Sequence, residues 1–117
     1  MPTKKNSDIA IERRHAVRVL APFPITYVDE EADRTSLLTG LSRDLSETGC
    51  QIICPLPPAG RRITLILDLK DGRPPLNLAD TNVRWSAAHQ FGVMFPEMTA
   101  AERKRLRKII QNRKTLF

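Results

Sequence analysis

Three arginine side chains stand close together within residues 11–20, just ahead of the first predicted strand. Arg14 and Arg18 are spaced as Arg-x-x-x-Arg, and Arg13 directly precedes them. A guanidinium group can pair with two phosphate oxygens at once, and its flat face can stack on a base. The segment could therefore clamp an anionic nucleotide. The alternative is an exposed basic strand edge that discourages aggregation.

A second group of polar residues lies in the stretch SRDLSETGCQI. Asp44 and Ser46 are two residues apart, so an extended backbone would point both side chains to the same side. Gly49 follows three residues later, where a tight turn could need a positive φ. By itself this loose pattern favours an ordinary turn, in which Asp44 and Ser46 cap their own backbone and Gly49 closes the turn.

The elements that must position these residues are short strands. From residue 17 onward, short apolar runs alternate with turn signals, and Pro24 suits a strand start or an edge. Several strands at this spacing indicate a closed or nearly closed antiparallel sheet. The predicted strands are residues 23–28, 36–46, 50–54, 61–69, 76–85 and 90–95.

The last part of the chain predicts a helix over residues 99–114. Thr99 and Glu102 form a capping box, in which each side chain bonds the backbone N–H of the other residue. Leu106, Ile109 and Ile110 repeat at helical spacing and give a narrow apolar stripe that should lie on the sheet. The other faces are basic: Arg103, Lys104, Arg105, Arg107, Lys108, Arg113 and Lys114.

Taken together, the arginine pair and the Asp-x-Ser-x-x-Gly stretch resemble the two-part signature of the PilZ domain, a bacterial receptor for cyclic di-GMP. The resemblance runs from about Glu12 to the terminal helix and includes the stretch VRWSAAHQFGVMFPEMTAAE. It implies an all-β fold with a C-terminal helix, a six-stranded antiparallel split β-barrel. Residues 1–10 would be a flexible tail and residues 11–117 the PilZ domain, with a ligand-binding arm at 11–20, the barrel at 21–96 and the helix at 99–114.

The resemblance also assigns roles to the arginines. Arg14 and Arg18 would clamp phosphate and guanine, whose O6 and N7 fit the guanidinium fork. Arg13 adds a third cation, which in the family tends to accompany a stacked dimer of the ligand. The arm would then be loose without ligand and order itself on binding, so that the domain shows a different surface to a partner.

The remaining site residues follow from the same resemblance. Asp44 would accept hydrogen bonds from the N1–H and N2–H of guanine, Ser46 would donate to phosphate or base, and Gly49 would let the backbone approach the ligand. Trp85, the only tryptophan, belongs by default to the core or the barrel wall, but could approach the bound guanines. Strict alternation points its neighbour Arg84 to the opposite face.

The composition indicates a class of binding partner but does not identify one partner. The chain of 117 residues carries 19 Lys and Arg against 13 Asp and Glu, a net charge of +6, which favours a polyanionic partner. We see no signal peptide and no membrane helix, and therefore expect the cytoplasm and no membrane insertion. Cys50 and Cys54 would lie roughly 13 Å apart in a strand, beyond the reach of a disulfide. With only His15 and His89 besides, we expect neither a metal nor a cofactor other than the ligand.

Three other functions are each compatible with part of the sequence. Asp44, Ser46 and His89 could form a triad on paper, but the sequence has no nucleophile elbow and no Gly-rich phosphate loop, so we predict no enzyme. A small basic nucleic-acid-binding protein is the second, but 5% aromatic residues make a poor stacking platform for bases. A PilZ-like structural or pilus-assembly partner without nucleotide is the third, although both motifs are complete here. We expect the output to reach an unidentified effector protein in motility, biofilm or exopolysaccharide control.

Overall fold

The structure is a computed structural model that describes residues 18–31 and 37–114. The predicted tail, Arg13 and Arg14 lie outside the described residues. The strands are β1 (Val19–Leu20), β2 (Pro24–Asp29), β3 (Leu38–Leu45), β4 (Gly49–Ile53), β5 (Arg62–Leu67), β6 (Leu76–Ser86) and β7 (Gln90–Met94), and they are followed by helix α1 (Ala100–Lys114).

Six of the strands form a closed antiparallel barrel. Neighbouring strands follow the order β3, β2, β5, β6, β7, β4, and β4 pairs back onto β3. This confirms the predicted six-stranded barrel with a C-terminal helix. Closure removes the free strand edges that an open sheet would expose. Pro24 opens β2, in agreement with its predicted place at a strand start.

The short strand β1 pairs with the end of β3, in line with β2. Between the two, the side chain of Ser42 adds to the backbone hydrogen bonds that join residues 21 and 23 to β3. Its hydroxyl donates to the carbonyl of Ala21 and accepts from the N–H of Phe23 at 2.9 Å. Ser42 is buried, and these two bonds satisfy its hydroxyl. The segment that begins at Arg18 is thereby held against β3.

The barrel interior follows the alternation seen in the sequence. Ile63, Leu65 and Leu67 of β5 all point inward and are fully buried, as predicted. In β4, Cys50 and Ile52 point inward with them. Both cysteine thiols are free, and burial raises the pKa of Cys50 to about 12. At that pKa the thiol stays protonated and behaves as a small apolar side chain.

Helix α1 begins at the predicted capping box. The N–H of Glu102 donates to Thr99 Oγ1 at 3.1 Å, and the N–H of Thr99 donates to Glu102 Oε1 at 2.9 Å. Leu106 and Ile110 of the apolar stripe are buried against the barrel, and the helix lies beside β1. Sequence and structure therefore agree on how the helix starts and on which face it buries.

Candidate functional site

Arg18 of the first polar group and Asp44 of the second meet where β1 pairs with β3. Leu20 is the register partner of Asp44, so Arg18 lies diagonally across from the Asp44 side chain. Arg18 Nη1 is 3.9 Å from Asp44 Oδ2, and the two side chains are 66% and 25% exposed. A cation and an anion thus stand side by side on the outer wall. Of the three predicted arginines, Arg18 alone belongs to the described residues.

A β-bulge sets the direction of Asp44. The register between β3 and β4 shifts between Ser42 and Asp44, which leaves Arg43 as the extra residue. Ser42 and Leu45 are buried, whereas Arg43 is exposed and Asp44 is partly exposed. Without the bulge, strict alternation from Ser42 would turn Asp44 into the barrel, where an unpaired carboxylate is costly. The bulge therefore makes Asp44 available on the surface.

Ser46 begins the turn that joins β3 to β4. Its hydroxyl accepts hydrogen bonds from the N–H groups of Thr48 and Gly49, both at 3.2 Å. The backbone N–H of Ser46 donates to the carbonyl of Gly49 at 2.9 Å. Ser46 is 3% exposed, and its hydroxyl caps the backbone of the turn, as expected for an ordinary turn. A direct contact of Ser46 with ligand stays a prediction.

Gly49 is needed for a different reason from the one the sequence suggested. The expected positive φ is wrong, since Gly72 is the glycine of this chain that has one. At Gly49 a Cβ atom would instead lie 2.1 Å from the backbone carbonyl oxygen of Val93 in β7. A side chain at this position would therefore collide with the neighbouring strand. The sequence alone could not show this contact, because it depends on which strand lies beside β4.

Trp85 lies on the outer surface and not in the core. The residue is 44% exposed, and its indole covers Gly92, its register partner in β7. A Cβ atom at Gly92 would come within 2.2 Å of Trp85 Nε1. Asp44, Gln51, Gly92 and Trp85 are successive register partners across β3, β4, β7 and β6. Trp85 is therefore on the same wall as Asp44, three strand spacings or roughly 14 Å away.

Two further surface residues were missed or misplaced by the sequence analysis. A second bulge lies between Val83 and Trp85, and Arg84 and Trp85 are both exposed and line one cleft. The expectation that Arg84 points to the opposite face is therefore wrong, because alternation fails at a bulge. Gln51 lies next to Asp44 in the register and bonds Gln90 at 2.8 Å. The sequence does contain a signal for Gln51, because it is a polar residue between Cys50 and Ile52 in a predicted strand.

The turn is tied to the helix by an ion pair. Arg107 Nε of α1 lies 3.1 Å from Glu47 Oε1, and Glu47 stands between Ser46 and Gly49. The guanidinium of Arg113 lies 4.9 Å from the ring centroid of Phe23, in the segment after β1. Both halves of the site are therefore in direct contact with α1.

Residues 18–31 and 37–114 contain neither a cluster of metal ligands nor a membrane-spanning helix. No three or more His, Cys, Asp or Glu side chains there come together as metal ligands. No helix in those ranges combines the length and the apolar character that crossing a bilayer requires.

Comparison with known proteins identifies the family. The family model described as PilZ domain matches residues 12–112, which is most of the chain. The chain belongs to the PilZ family. This confirms the resemblance drawn from the two motifs. No curated protein matches the sequence.

Solved structures with the same fold include three PilZ proteins. The PilZ domain of Escherichia coli YcgR with c-di-GMP is 17% identical, with a TM-score of 0.61, and 88% of this chain covers 92% of that one. The PilZ domain of CeSA from a cellulose-synthesizing bacterium is 16% identical, with a TM-score of 0.61 and coverages of 82% and 96%. The Bacillus subtilis inhibitor of motility MotI/DgrA is 18% identical with a TM-score of 0.64, and 85% of this chain spans 50% of it. At these identities the PilZ fold is what the likeness shows.

Proposed function

We propose that this PilZ chain is a cytoplasmic, non-catalytic bacterial receptor for cyclic di-GMP. The observation that carries the proposal is the exposed Arg18–Asp44 pair on the outer wall of the barrel. Cyclic di-GMP is a dianion with two guanines, so it needs cations for its phosphates and acceptors for its guanine N–H groups. The YcgR PilZ domain, which has the same fold, was solved with c-di-GMP.

The geometry leaves both groups free to bind. At 3.9 Å the contact between Arg18 and Asp44 is longer than a hydrogen bond, so the guanidinium donors and the carboxylate lone pairs are available. Arg18 would donate to phosphate oxygens or to guanine O6 and N7. Asp44 would accept from guanine N1–H and N2–H. Charge-assisted bonds of this kind are the strong ones in such a site.

The remaining predicted residues complete the proposed site. Arg13 and Arg14 precede Arg18 in the sequence, and we assign them to the phosphates, with room for a stacked dimer of the ligand. Ser46 and Gly49 would present the turn to the ligand. Trp85, on the same wall, is the weaker member of the set because it lies three strands away.

Signalling would run from the site to helix α1 and to a partner protein. Ligand bound at Arg18 and at the turn after Asp44 touches the two segments that contact α1 through Phe23 and Glu47. A ligand shifts such contacts only when it binds their two arrangements with different affinity. We propose that an effector protein reads this difference, in control of motility, biofilm or exopolysaccharide.

Calorimetric titration with cyclic di-GMP tests the proposal. The unchanged protein should bind saturably, and Asp44→Ala should lose about tenfold or more in affinity, because a charged hydrogen-bond partner contributes roughly 1.5–3 kcal/mol. Glu97→Ala is the control, since Glu97 is an exposed carboxylate in the segment between β7 and α1. Thermal unfolding should show that both variants keep the stability of the unchanged protein.

The same titration decides between the proposal and its rivals. No heat with cyclic di-GMP, together with binding to duplex DNA that weakens steeply with salt, would favour the nucleic-acid-binding protein. No binding of either would favour the structural or pilus-assembly partner. Conversion of the ligand to a linear product would show an enzyme.

A further inference from the structure

A separate cleft lies on the outer wall where β6 passes the segment before β5. Its volume is about 610 Å³, and its lining includes Arg61, Asn82, Arg84 and Trp85 together with residues 58–60. Trp85 belongs both to this cleft and to the row of register partners that runs from Asp44 across β4 and β7. The cleft is distinct from the Arg18–Asp44 pair, because three strand spacings separate Asp44 from Trp85.

Local structure aims two arginines into this cleft. The bulge between Val83 and Trp85 turns Arg84 to the same side as the indole. The N–H of Val83 donates to the carbonyl of Arg61 at 2.7 Å, which sets Arg61 beside the bulge. Bulges next to functional sites commonly re-aim a side chain in this way.

The opposite wall of the cleft is anchored by a buried carboxylate. Asp29 Oδ2 accepts from the N–H groups of Ala59 and Gly60 at 3.0 and 2.9 Å. Asp29 is 9% exposed, so its carboxylate is committed to this loop. The segment before β5 is therefore fixed relative to β2, and the cleft is formed before any ligand arrives.

The cleft is positively charged. Arg61 and Arg84 are exposed, and no carboxylate among the described residues lies within 4.0 Å of either guanidinium group. None of the residues that line the cleft is acidic. The carboxylates of Asp29 and Glu31 lie beside Gly60 on the opposite wall, where Asp29 bonds the loop and Glu31 pairs with Arg62 at 3.9 Å. The two guanidinium groups of the lining attract an anion, and a guanidinium fork suits phosphate oxygens.

The indole of Trp85 supplies an aromatic face. It lies over Gly92, and a Cβ at that position would displace it, so the pairing of tryptophan with glycine fixes the ring flat against β7. With 44% of the residue exposed, part of the ring is open to a planar partner. Aromatic faces beside arginines bind the bases of nucleotides by stacking.

We propose that this cleft is a second ligand site, which takes a purine nucleotide with its base on Trp85 and its phosphate between Arg61 and Arg84. The proposal does not depend on cyclic di-GMP binding at Asp44. It uses Trp85, the weaker member of the proposed cyclic di-GMP set, as the base platform of the cleft and gives Arg61 and Arg84 a role in binding that neither motif predicts. The volume of about 610 Å³ is sufficient for a mononucleotide.

Fluorescence titration provides a direct test, because Trp85 is the only tryptophan. GMP should change the emission saturably, and inorganic phosphate should compete with it. Arg61→Ala and Arg84→Ala should each weaken GMP binding about tenfold or more. Arg84→Lys, which keeps the charge but loses the fork, should bind at an intermediate affinity.

Two controls make the result specific. Arg43→Ala removes an exposed arginine at the other bulge and should leave GMP binding unchanged. Asp44→Ala should also leave it unchanged while it weakens cyclic di-GMP, which separates this proposal from the proposed receptor function. An equal loss in Arg43→Ala would show non-specific charge attraction and overturn the proposal. A flat titration, or loss of GMP binding in Asp44→Ala, would overturn it as well.

Discussion

Two arginine–carboxylate pairs of this PilZ domain differ in how completely they close. Arg105 of α1 grips Asp71 with two hydrogen bonds of 2.7 Å each, and the two side chains are only 11% and 18% exposed. Arg18 and Asp44 approach through one contact of 3.9 Å and remain 66% and 25% exposed. Both pairs consist of a guanidinium and a carboxylate group. Only in the Arg105–Asp71 pair are these groups hydrogen-bonded to each other.

We interpret the difference as that between a structural pair and the proposed binding pair. In the Arg105–Asp71 pair each carboxylate oxygen receives a guanidinium N–H, which fastens the loop after β5 to the helix. Hydrogen bonding from Arg105 lowers the pKa of Asp71 to about 2. In the Arg18–Asp44 pair the guanidinium donors and carboxylate acceptors form no hydrogen bond with each other, so an incoming ligand does not have to break one. Substitutions in both pairs test this interpretation, because one pair should affect ligand affinity and the other the stability of the domain.

The largest effect is expected from Gly49, where β4 begins after the turn that follows Asp44. Gly49→Ala should lower the free energy of unfolding by roughly 3 kcal/mol, because the new Cβ collides with the carbonyl of Val93 at 2.1 Å. Gly72→Ala is the matched control: nothing lies within 4 Å of its Cβ, and only its φ of 79° is unfavourable. It should cost about 1 kcal/mol. Denaturant unfolding measures both, and equal losses would contradict the collision.

Replacement of Arg18 and of Arg105 should have opposite effects on ligand affinity and on stability. Arg18→Ala should reduce cyclic di-GMP affinity about tenfold or more and change the free energy of unfolding by less than about 0.5 kcal/mol. Arg105→Ala should destabilise the domain by about 1 kcal/mol and leave affinity unchanged. Titration calorimetry and thermal unfolding of both variants check this. The comparison fails if Arg18→Ala destabilises as much as Arg105→Ala.

Ser46 distinguishes support of the turn from contact with ligand. Ser46→Ala should cost about 1–2 kcal/mol of stability, since the N–H groups of Thr48 and Gly49 lose their acceptor in the turn. If Ser46 also donates to the ligand, affinity measured well below the unfolding temperature should fall too. An unchanged affinity would limit Ser46 to the turn.

The smallest effect concerns pH. The lowered pKa of Asp71 contributes stability that is present above the ordinary aspartate pKa of 3.8 and is lost as the pH falls through about 2. Asp71→Asn should therefore be about 0.5–1 kcal/mol less stable than the unchanged protein at pH 7. The two unfolding temperatures should converge as the pH falls from 4 toward 2. A constant difference over that range would show that the carboxylate charge is not responsible.

Sequence reasoning recovered the features that depend on neighbours along the chain. The alternation of Ile63, Leu65 and Leu67 predicts an inward face because side chains in a strand alternate sides. The capping box of Thr99 and Glu102 predicts the start of the helix because its bonds span three residues. The strand bounds differ from the prediction by a few residues, as β5 shows with Arg62–Leu67 against 61–69.

Sequence reasoning failed where residues depend on the strand beside them. Alternation placed Arg84 opposite Trp85, and a bulge against β7 brings both to one side. Gly49 was assigned a positive φ, whereas the close approach of Val93 is what excludes a side chain. These contacts join two different strands, so no pattern within a single strand encodes them.

The sequence by itself determined the family, the barrel with its helix, and the residue types that could hold a phosphate and a guanine. These follow from periodicity and from two motifs, which are properties of a single segment. Only the tertiary structure decided that the Asp44 carboxylate faces outward beside Arg18 and that Arg84 shares a cleft with Trp85. The physical reason is that register and bulges arise between strands, where hydrogen bonding across the barrel fixes which way each side chain points.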